Sequence, residues 1–558
     1  MRANKSRAAL WSAWVLLAWP LPALLATPPA VPPRAEHEAS ARDDLAEETL
    51  KNALDLERKH NWTAAIELYE GALQSWPARS EFRHRLRLCE IHYRLGRRYQ
   101  DRSFRNVLLH LPREKALELF DELLERIESH YVEAVAMEPM LRRGLDNMEV
   151  ALRDPGFLKA NAPTAEPAKI AALRDELRAR RTSLSVRDRA QAVATAAAIA
   201  EQGRATLGLP AACVVLEFVY GACDALDDYT SYLTPDKLDD LYAMIDGNFV
   251  GLGVELKQDE RGLRLVGVIP KGPAAAAGLR VGDRITQVDG HSVAGLGLDE
   301  AANRLQGAEN TTVRITVLHA DNSSQTLYLT RRPVEVRSVP QAKIVEATSG
   351  VGYIQLTGFQ KSSTDELEQA IAGLQRQGLR YLILDLRGNP GGLLNVSVEM
   401  ADRFLEQGVI VSTRGRAPGQ SSVYRARASA PWRMPMAVLI DHDSASASEI
   451  LAGALKDNHR ALIIGQRSYG KGSVQSIFSL KSVPAGLKLT TAKFYSPTNR
   501  PYSEQGVEPD LAIRVAAKPA TPAPGEDLSP LSEIGDPARD PVLERAIQQA
   551  RRPAATPR

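Results

Sequence analysis

Residues 441–475 read DHDSASASEILAGALKDNHRALIIGQRSYGKGSVQ, and three serines, a lysine between two glycines and a glutamine fall within this one stretch. A serine hydroxyl is almost never ionised near neutral pH, so it attacks a carbonyl only where a neighbouring base takes its proton. An ordinary lysine cannot be that base: with a pKa of about 10.4, roughly one in a few thousand is neutral at pH 7. Lowering that pKa by about 3 units takes about 4 kcal/mol of differential solvation, and burial supplies such a shift. Lys471, in Tyr469-Gly470-Lys471-Gly472, follows the apolar run Ala461-Leu462-Ile463-Ile464, which reads as an interior strand. Its flanking glycines let the chain bury it without crowding.

Upstream, Met436-Ala437-Val438-Leu439-Ile440 reads as a buried strand and Glu449 to Leu455 as a helix, which sets Ser446 at a strand-to-helix transition. Such a transition offers free N–H groups and the positive end of a helix dipole to negative charge developing on a substrate oxygen. Taken alone, Ser444, Ser446 and Ser448 read more simply as helix N-caps. Lys471 and Gln475 shift that balance: a spacing of four puts both on one face of a strand or helix, where Gln475 can orient the amine. A second strand, Tyr381-Leu382-Ile383-Leu384-Asp385, runs into Leu386-Arg387-Gly388-Asn389-Pro390-Gly391-Gly392, a glycine turn able to bring an unobstructed backbone N–H close to a substrate.

SASASEILAGALKD followed by GKGSVQ resembles the signature of the C-terminal processing peptidases, the carboxyl-terminal or tail-specific serine proteases. In that family the nucleophile is the middle serine of the cluster and the base is the lysine 25 residues later, the interval that separates Ser446 from Lys471 here. The resemblance implies Ser446 as nucleophile, Lys471 as general base, Gln475 as the lysine's orienting partner, and Asp457, in ALKD, as acidic support. It also implies an oxyanion hole from Ala447 and either Gly391 or Gly392. The family more often has Arg-Asn-Asn before those glycines, whereas this chain has Arg387-Gly388-Asn389.

Residues 247–333 read as a small β unit, with alternating segments such as Leu263 to Ile269 and Val313 to Val317 separated by turns, and a short helix at Pro273 to Leu279. The pattern resembles a PDZ domain of the circularly permuted bacterial type. Such domains add a chain's C-terminus as an extra strand and hold its carboxylate on backbone N–H groups; the resemblance places that loop at Gly251, Leu252, Gly253 and Val254. The simpler reading is a β spacer.

At 558 residues the chain is too long for one core. The expected architecture is multidomain α+β: a helical N-terminal region, a PDZ-like β domain and an α/β, crotonase-like protease core. Residues 1–26 read as a signal peptide or uncleaved anchor, with Arg2, Lys5 and Arg7 before an apolar stretch. A linker follows at 27–44, a tetratricopeptide-like helical hairpin at 45–112, and a helix-rich region at 113–240 with a loop around Asp154 to Pro167. The PDZ unit covers 247–333, the catalytic domain 334–515, and a disordered tail 516–558, relieved by a helix near Val542 to Arg551. The net charge of +2, with no basic stripe, argues against nucleic acid. Cys89, Cys213 and Cys223 lack metal-ligand spacing, and a Cys213–Cys223 bridge and free thiols are both open. No metal and no cofactor are expected.

The resulting expectation is an exported serine endopeptidase, periplasmic or anchored facing the periplasm. It would cut proteins near free apolar C-termini, with a membrane anchor, self-association or an adaptor protein left open. Two alternatives are a non-catalytic envelope scaffold and a Ser-His-Asp protease. The second would need His442 or His459 as base, in a setting without Gly-x-Ser-x-Gly.

Overall fold

A computed structural model describes residues 33–259, 261–294, 296, 301, 304–427, 431–513 and 534–551; the signal or anchor expected at 1–26 lies outside them. The chain forms two compact units, Met1–Tyr93 and Arg94–Arg558. In the first, the helix Pro33–Arg58 is followed by Trp62–Ser75, whose start is capped by the Asn61 side chain accepting from the Ala64 N–H. Ala46, Ala53, Ala65, Tyr69, Ala72, Phe82 and Cys89 form its buried core.

The second unit opens with a helical bundle that includes Arg113–His130, Met137–Ala151, Pro167–Thr182, Arg189–Leu207 and Ala211–Asp224. Apolar residues at helical spacing, among them Leu119, Phe120, Leu123, Leu124 and Ile127, bury one stripe of each helix. Two helices meet closely at Gly144 and Gly221, where a Cβ on Gly221 would lie 2.3 Å from the Gly144 nitrogen. The loop expected around Asp154 to Pro167 is a helix over Pro155–Asn161. Asp154 accepts from the Phe157 N–H and Pro155 takes the first turn, so the Asp-Pro pair is a helix start and not a break. Cys213 and Cys223 lie on one helix as buried free thiols.

The bundle leads into Ser231–Leu233, an outer strand of a five-stranded antiparallel sheet with Gly486–Tyr495, Val409–Gly415, Ser422–Arg425 and Ser473–Ser479. Beside it stands a six-stranded sheet in the order Gln341–Glu346, Val351–Gln355, Tyr381–Asp385, Met436–Ile440, Leu462–Gly465, Leu511–Ala512, parallel after the first pair. Its strands are apolar on both faces, the pattern of a sheet covered twice. Ile354, Leu382, Leu384, Val438, Ile440 and Ile463 pack under the helices Ser363–Arg376, Leu394–Phe404 and Ala447–Asp457. The alternate residues Tyr353, Ile383, Ala437, Leu439 and Ile464 pack against Val542, Leu543, Ala546 and Ile547 of the helix Pro541–Ala550.

Of the tail expected to be disordered apart from a helix near Val542 to Arg551, the structure describes residues 534–551. The expected helix forms there and covers the second face of the protease sheet, because its apolar residues make one stripe that the sheet can bury.

Between the two lies a β unit with Val254–Asp259, Gly262–Val268, Arg284–Val288, Thr312–Leu318 and Ser324–Thr330 in one sheet, around Leu263, Leu265, Ile285, Val313, Ile315 and Val317. A ribbon of Asn248–Gly251 with Arg332–Glu335 joins its entry and exit. Val254–Asp259 pairs only with Gly262–Val268, leaving its other edge open among the described residues.

Candidate active site

The three serines separate by environment. Ser444 is fully buried and donates to the Leu386 carbonyl (2.8 Å), and Ser448, also buried, donates to the Asn389 carbonyl (2.9 Å). Both fasten the serine turn to the end of the neighbouring strand. Ser446 alone of the three is partly exposed, and its backbone sits at φ 56°, ψ −112°. That conformation is costly for a residue with a Cβ and persists only where surrounding bonds over-determine it.

The bonds come from Glu449, three residues on. One carboxylate oxygen accepts the N–H of Ser446 (2.7 Å) and the N–H of Lys471 (3.0 Å); the other accepts the Gly470 N–H (2.7 Å) and the Ser468 hydroxyl (2.6 Å). A single buried side chain thus locks the serine turn to the lysine loop. Burial pushes the Glu449 carboxyl above its usual pKa, against the pull of these hydrogen bonds. In the sequence Glu449 reads only as the start of a helix. The Ser-x-x-Glu spacing of a capping box was the available signal.

Lys471 is half-buried, and burial pushes its amine below the ordinary lysine pKa; Lys488 pushes the same way, while Glu449 and Asp227 oppose. Its Nζ lies 4.9 Å from the centre of the Tyr229 ring. No hydrogen bond joins it to Ser446 or Gln475 among the described residues. The flanking glycines are required by close packing: a Cβ on Gly472 would lie 2.2 Å from the Ser503 nitrogen, and one on Gly470 would press on the Glu504 backbone.

Removing the like charge at Lys488 favours the charged form of Lys471 and raises its pKa, so less neutral amine is present at a given pH. For Lys488→Met the rising limb of kcat/KM against pH is expected to move to higher pH; an unmoved limb would show that Lys488 does not act on the base.

The glycine turn meets the serine turn directly. A Cβ on Gly391 would lie 2.9 Å from both Ser446 Cβ and the Ala447 nitrogen, and the Asn389 carbonyl accepts the Ala445 N–H at 3.0 Å. The Gly391 N–H is occupied by Asn389 Oδ1 (2.9 Å). The N–H groups of Gly392 and Ala447 have no acceptor among the described residues. Gly388 adopts φ 69°, with nothing within 4 Å of a Cβ there. Asparagine also tolerates that region, so this backbone has room for the Asn of Arg-Asn-Asn at position 388.

Two further expected site residues carry hydrogen bonds of their own. Gln475 donates to Ser473 Oγ (2.9 Å) and Thr490 Oγ1 (3.3 Å); it lies in the strand Ser473–Ser479, whereas Lys471 lies in the loop before it, so the spacing of four does not run along one element. Asp457 sits at the far end of the helix that Ser446 begins, bonded to Thr498 (2.7 Å) and Arg500 (2.9 Å). His442 is 74% exposed against Asp443, and His459 is exposed, so neither is held as a triad base would be. Asp441, His442 and Asp443 could place ligand atoms within 4.8 Å of one another, but Asp441 Oδ1 already accepts from Gly388, Asp443 and Ser444.

In the β unit, Leu252 is buried and Gly253 has φ 76°. Their carbonyls accept from Ala274 (2.8 Å) and Ile269 (2.9 Å), and their N–H groups have no acceptor among the described residues.

Residues 350–513 match the model of peptidase family S41, and residues 264–318 match that of the PDZ domain. Among curated proteins, the carboxy-terminal-processing protease of Bartonella bacilliformis is 35% identical over 305 residues, 53% of this chain and 68% of the relative. The carboxyl-terminal-processing proteases of Picosynechococcus and Synechocystis are 36% and 37% identical, each over 51% of this chain and over 70% and 68% of their own lengths. Among solved structures, a photosystem II D1 C-terminal processing protease aligns with 27% identity and a TM-score of 0.39, over 72% of this chain and 94% of that one.

Proposed function

The chain belongs to the carboxyl-terminal-processing proteases of peptidase family S41, and on that premise we propose that Ser446 is its nucleophile, Lys471 its general base, and the N–H groups of Gly392 and Ala447 its oxyanion hole. The observation that carries this reading is the Glu449 carboxylate, which binds the backbone of Ser446 and of Lys471 at once. The enzyme is a serine peptidase. Neutral Lys471 takes the proton as Ser446 Oγ bonds to the scissile carbonyl carbon, and the negative charge moves to the oxygen, where the two free N–H groups stabilise it. As the tetrahedral intermediate collapses, the ammonium returns its proton to the leaving amine. Water then attacks the acyl-enzyme with Lys471 again as base, releasing the new carboxylate and the serine.

Substrates in this reading are exported proteins with free apolar C-termini. Their tails add as a strand to the open edge of Val254–Asp259, and the free N–H groups of Leu252 and Gly253 meet the terminal carboxylate. The basic and apolar N-terminal residues support action outside the cytoplasm. Tethering raises the local concentration of tail at the cleavage site, an effect worth about 10²–10⁴ in avidity for linked sites. Tail docking also brings Lys471 from its seat on Tyr229 into line with Ser446. Deleting residues 247–333 is expected to slow turnover even of a peptide too short to reach the β unit. Equal turnover of that peptide with and without the unit would sink the gating step and leave only the tether.

A further inference from the structure

The glycine turn is anchored from beyond residue 513, where the match to peptidase family S41 ends. Arg387, at the start of that turn and 10% exposed, holds Asp540 through two parallel bonds (Nη1 to Oδ1, 2.9 Å; Nη2 to Oδ2, 2.6 Å). The same guanidinium donates to both oxygens of Asp385 (2.9 and 2.6 Å); Asp385 Oδ2 also accepts from the Tyr353 hydroxyl (2.8 Å) and Oδ1 from the Arg387 N–H (3.0 Å). Asp540 is 4% exposed at its side chain. It precedes the helix Pro541–Ala550 and accepts from the N–H groups of Val542, Leu543 and Gly535.

Beyond Arg387 the turn is chained bond by bond. The Gly388 N–H goes to Asp441, Asn389 Nδ2 goes to the Leu356 carbonyl, and the Gly391 N–H goes to Asn389. A planar fork gripped by two carboxylates fixes direction as well as position, which a single contact does not.

We propose that Asp540, on the C-terminal helix, is a positioning residue for the reaction: by clamping Arg387 it sets the turn that presents the Gly392 N–H to the oxyanion. Asp540 touches no reacting atom. The inference rests on the oxyanion assignment made above. It makes the segment after the protease sheet part of the machinery, so that the enzyme's rate depends on whether its own C-terminal helix is docked.

Substitution separates the clamp from the helix cap. Asn and Ser cap helices about as well as Asp, yet Asn offers Arg387 one oxygen and Ser is too short to grip the fork. Since oxyanion stabilisation exists only in the transition state, its loss lowers kcat and leaves KM in place. For D540S, kcat on a tail peptide is expected to fall about 10- to 100-fold, up to the lower end of the roughly 10²–10³ attributed to one donor lost outright, with KM within about twofold and with D540N between it and wild type. Rates are taken per folded molecule, from thermal unfolding of each sample. Unchanged kcat, or a loss that appears in KM or only in the folded fraction, overturns the proposal; should D540S fail to fold, D540N decides on the same criteria. Ser446→Ala is assayed beside them: activity there sinks the oxyanion and nucleophile reading itself, whereas inactive Ser446→Ala with fully active D540S sinks the clamp alone.

Discussion

Ser446→Ala should abolish cleavage of a protein bearing an apolar C-terminal tail, with kcat falling about 10⁴- to 10⁶-fold, the range spanned by removing single members of a serine protease's catalytic triad. The variant should stay folded, because Ser446 is partly exposed and Ser448 and Glu449 still fix the turn. Lys471→Ala should fall by a similar factor. The double variant should be no worse than either single one, since a hydroxyl without a base and a base without a hydroxyl are equally idle. Activity surviving in Ser446→Ala or Lys471→Ala would refute the pair. Full activity in Ser446→Ala together with none in Lys471→Ala would point to another nucleophile served by the same amine.

Glu449→Ala should be the most damaging change that removes no reacting atom. It strands four donors, the N–H groups of Ser446, Gly470 and Lys471 and the Ser468 hydroxyl. An unsatisfied buried donor costs about 1–3 kcal/mol, and with water entering the gap the expected loss of unfolding free energy is about 3–5 kcal/mol. Activity should drop at least about 100-fold in the molecules that remain folded, because the strained backbone of Ser446 relaxes and the lysine loop loses its registration. Glu449→Gln, which can still accept from two of the donors, should lie between. Denaturant unfolding with parallel kinetics checks both; a stable, active Glu449→Ala would show that the serine turn holds itself.

Much of this was legible in the residues. Short apolar runs bounded by glycine and polar clusters gave the sheet strands, and the serine cluster with its lysine pointed to the candidate site. What failed to show did so for identifiable reasons. The Gln475 expectation rested on a spacing of four along one strand or helix, but Lys471 lies in the loop before the strand Ser473–Ser479, and no spacing rule says where that strand begins. The choice between Gly391 and Gly392 depends on which N–H Asn389 consumes, a bond across a turn that no spacing rule describes.

The C-terminal helix was visible as an apolar stripe, but its destination was not. Its partners Tyr353, Ile383 and Leu439 lie more than 100 residues upstream, and only the closed sheet shows that their face needs a cover. Glu449 and Asp540 share this character. Each acts by joining segments distant in sequence, so each looked like an ordinary helix-end residue.

The most direct measurement is covalent labelling with a fluorophosphonate, read by peptide mass spectrometry in wild type and Lys471→Met. The adduct should fall on the peptide containing Ser446, be placed on that residue by fragmentation, and form faster as pH rises through the depressed pKa of Lys471. In Lys471→Met it should form slowly or not at all. An adduct on Ser444 or Ser448, or equally fast labelling of Ser446 without the lysine, would contradict a nucleophile activated by that amine.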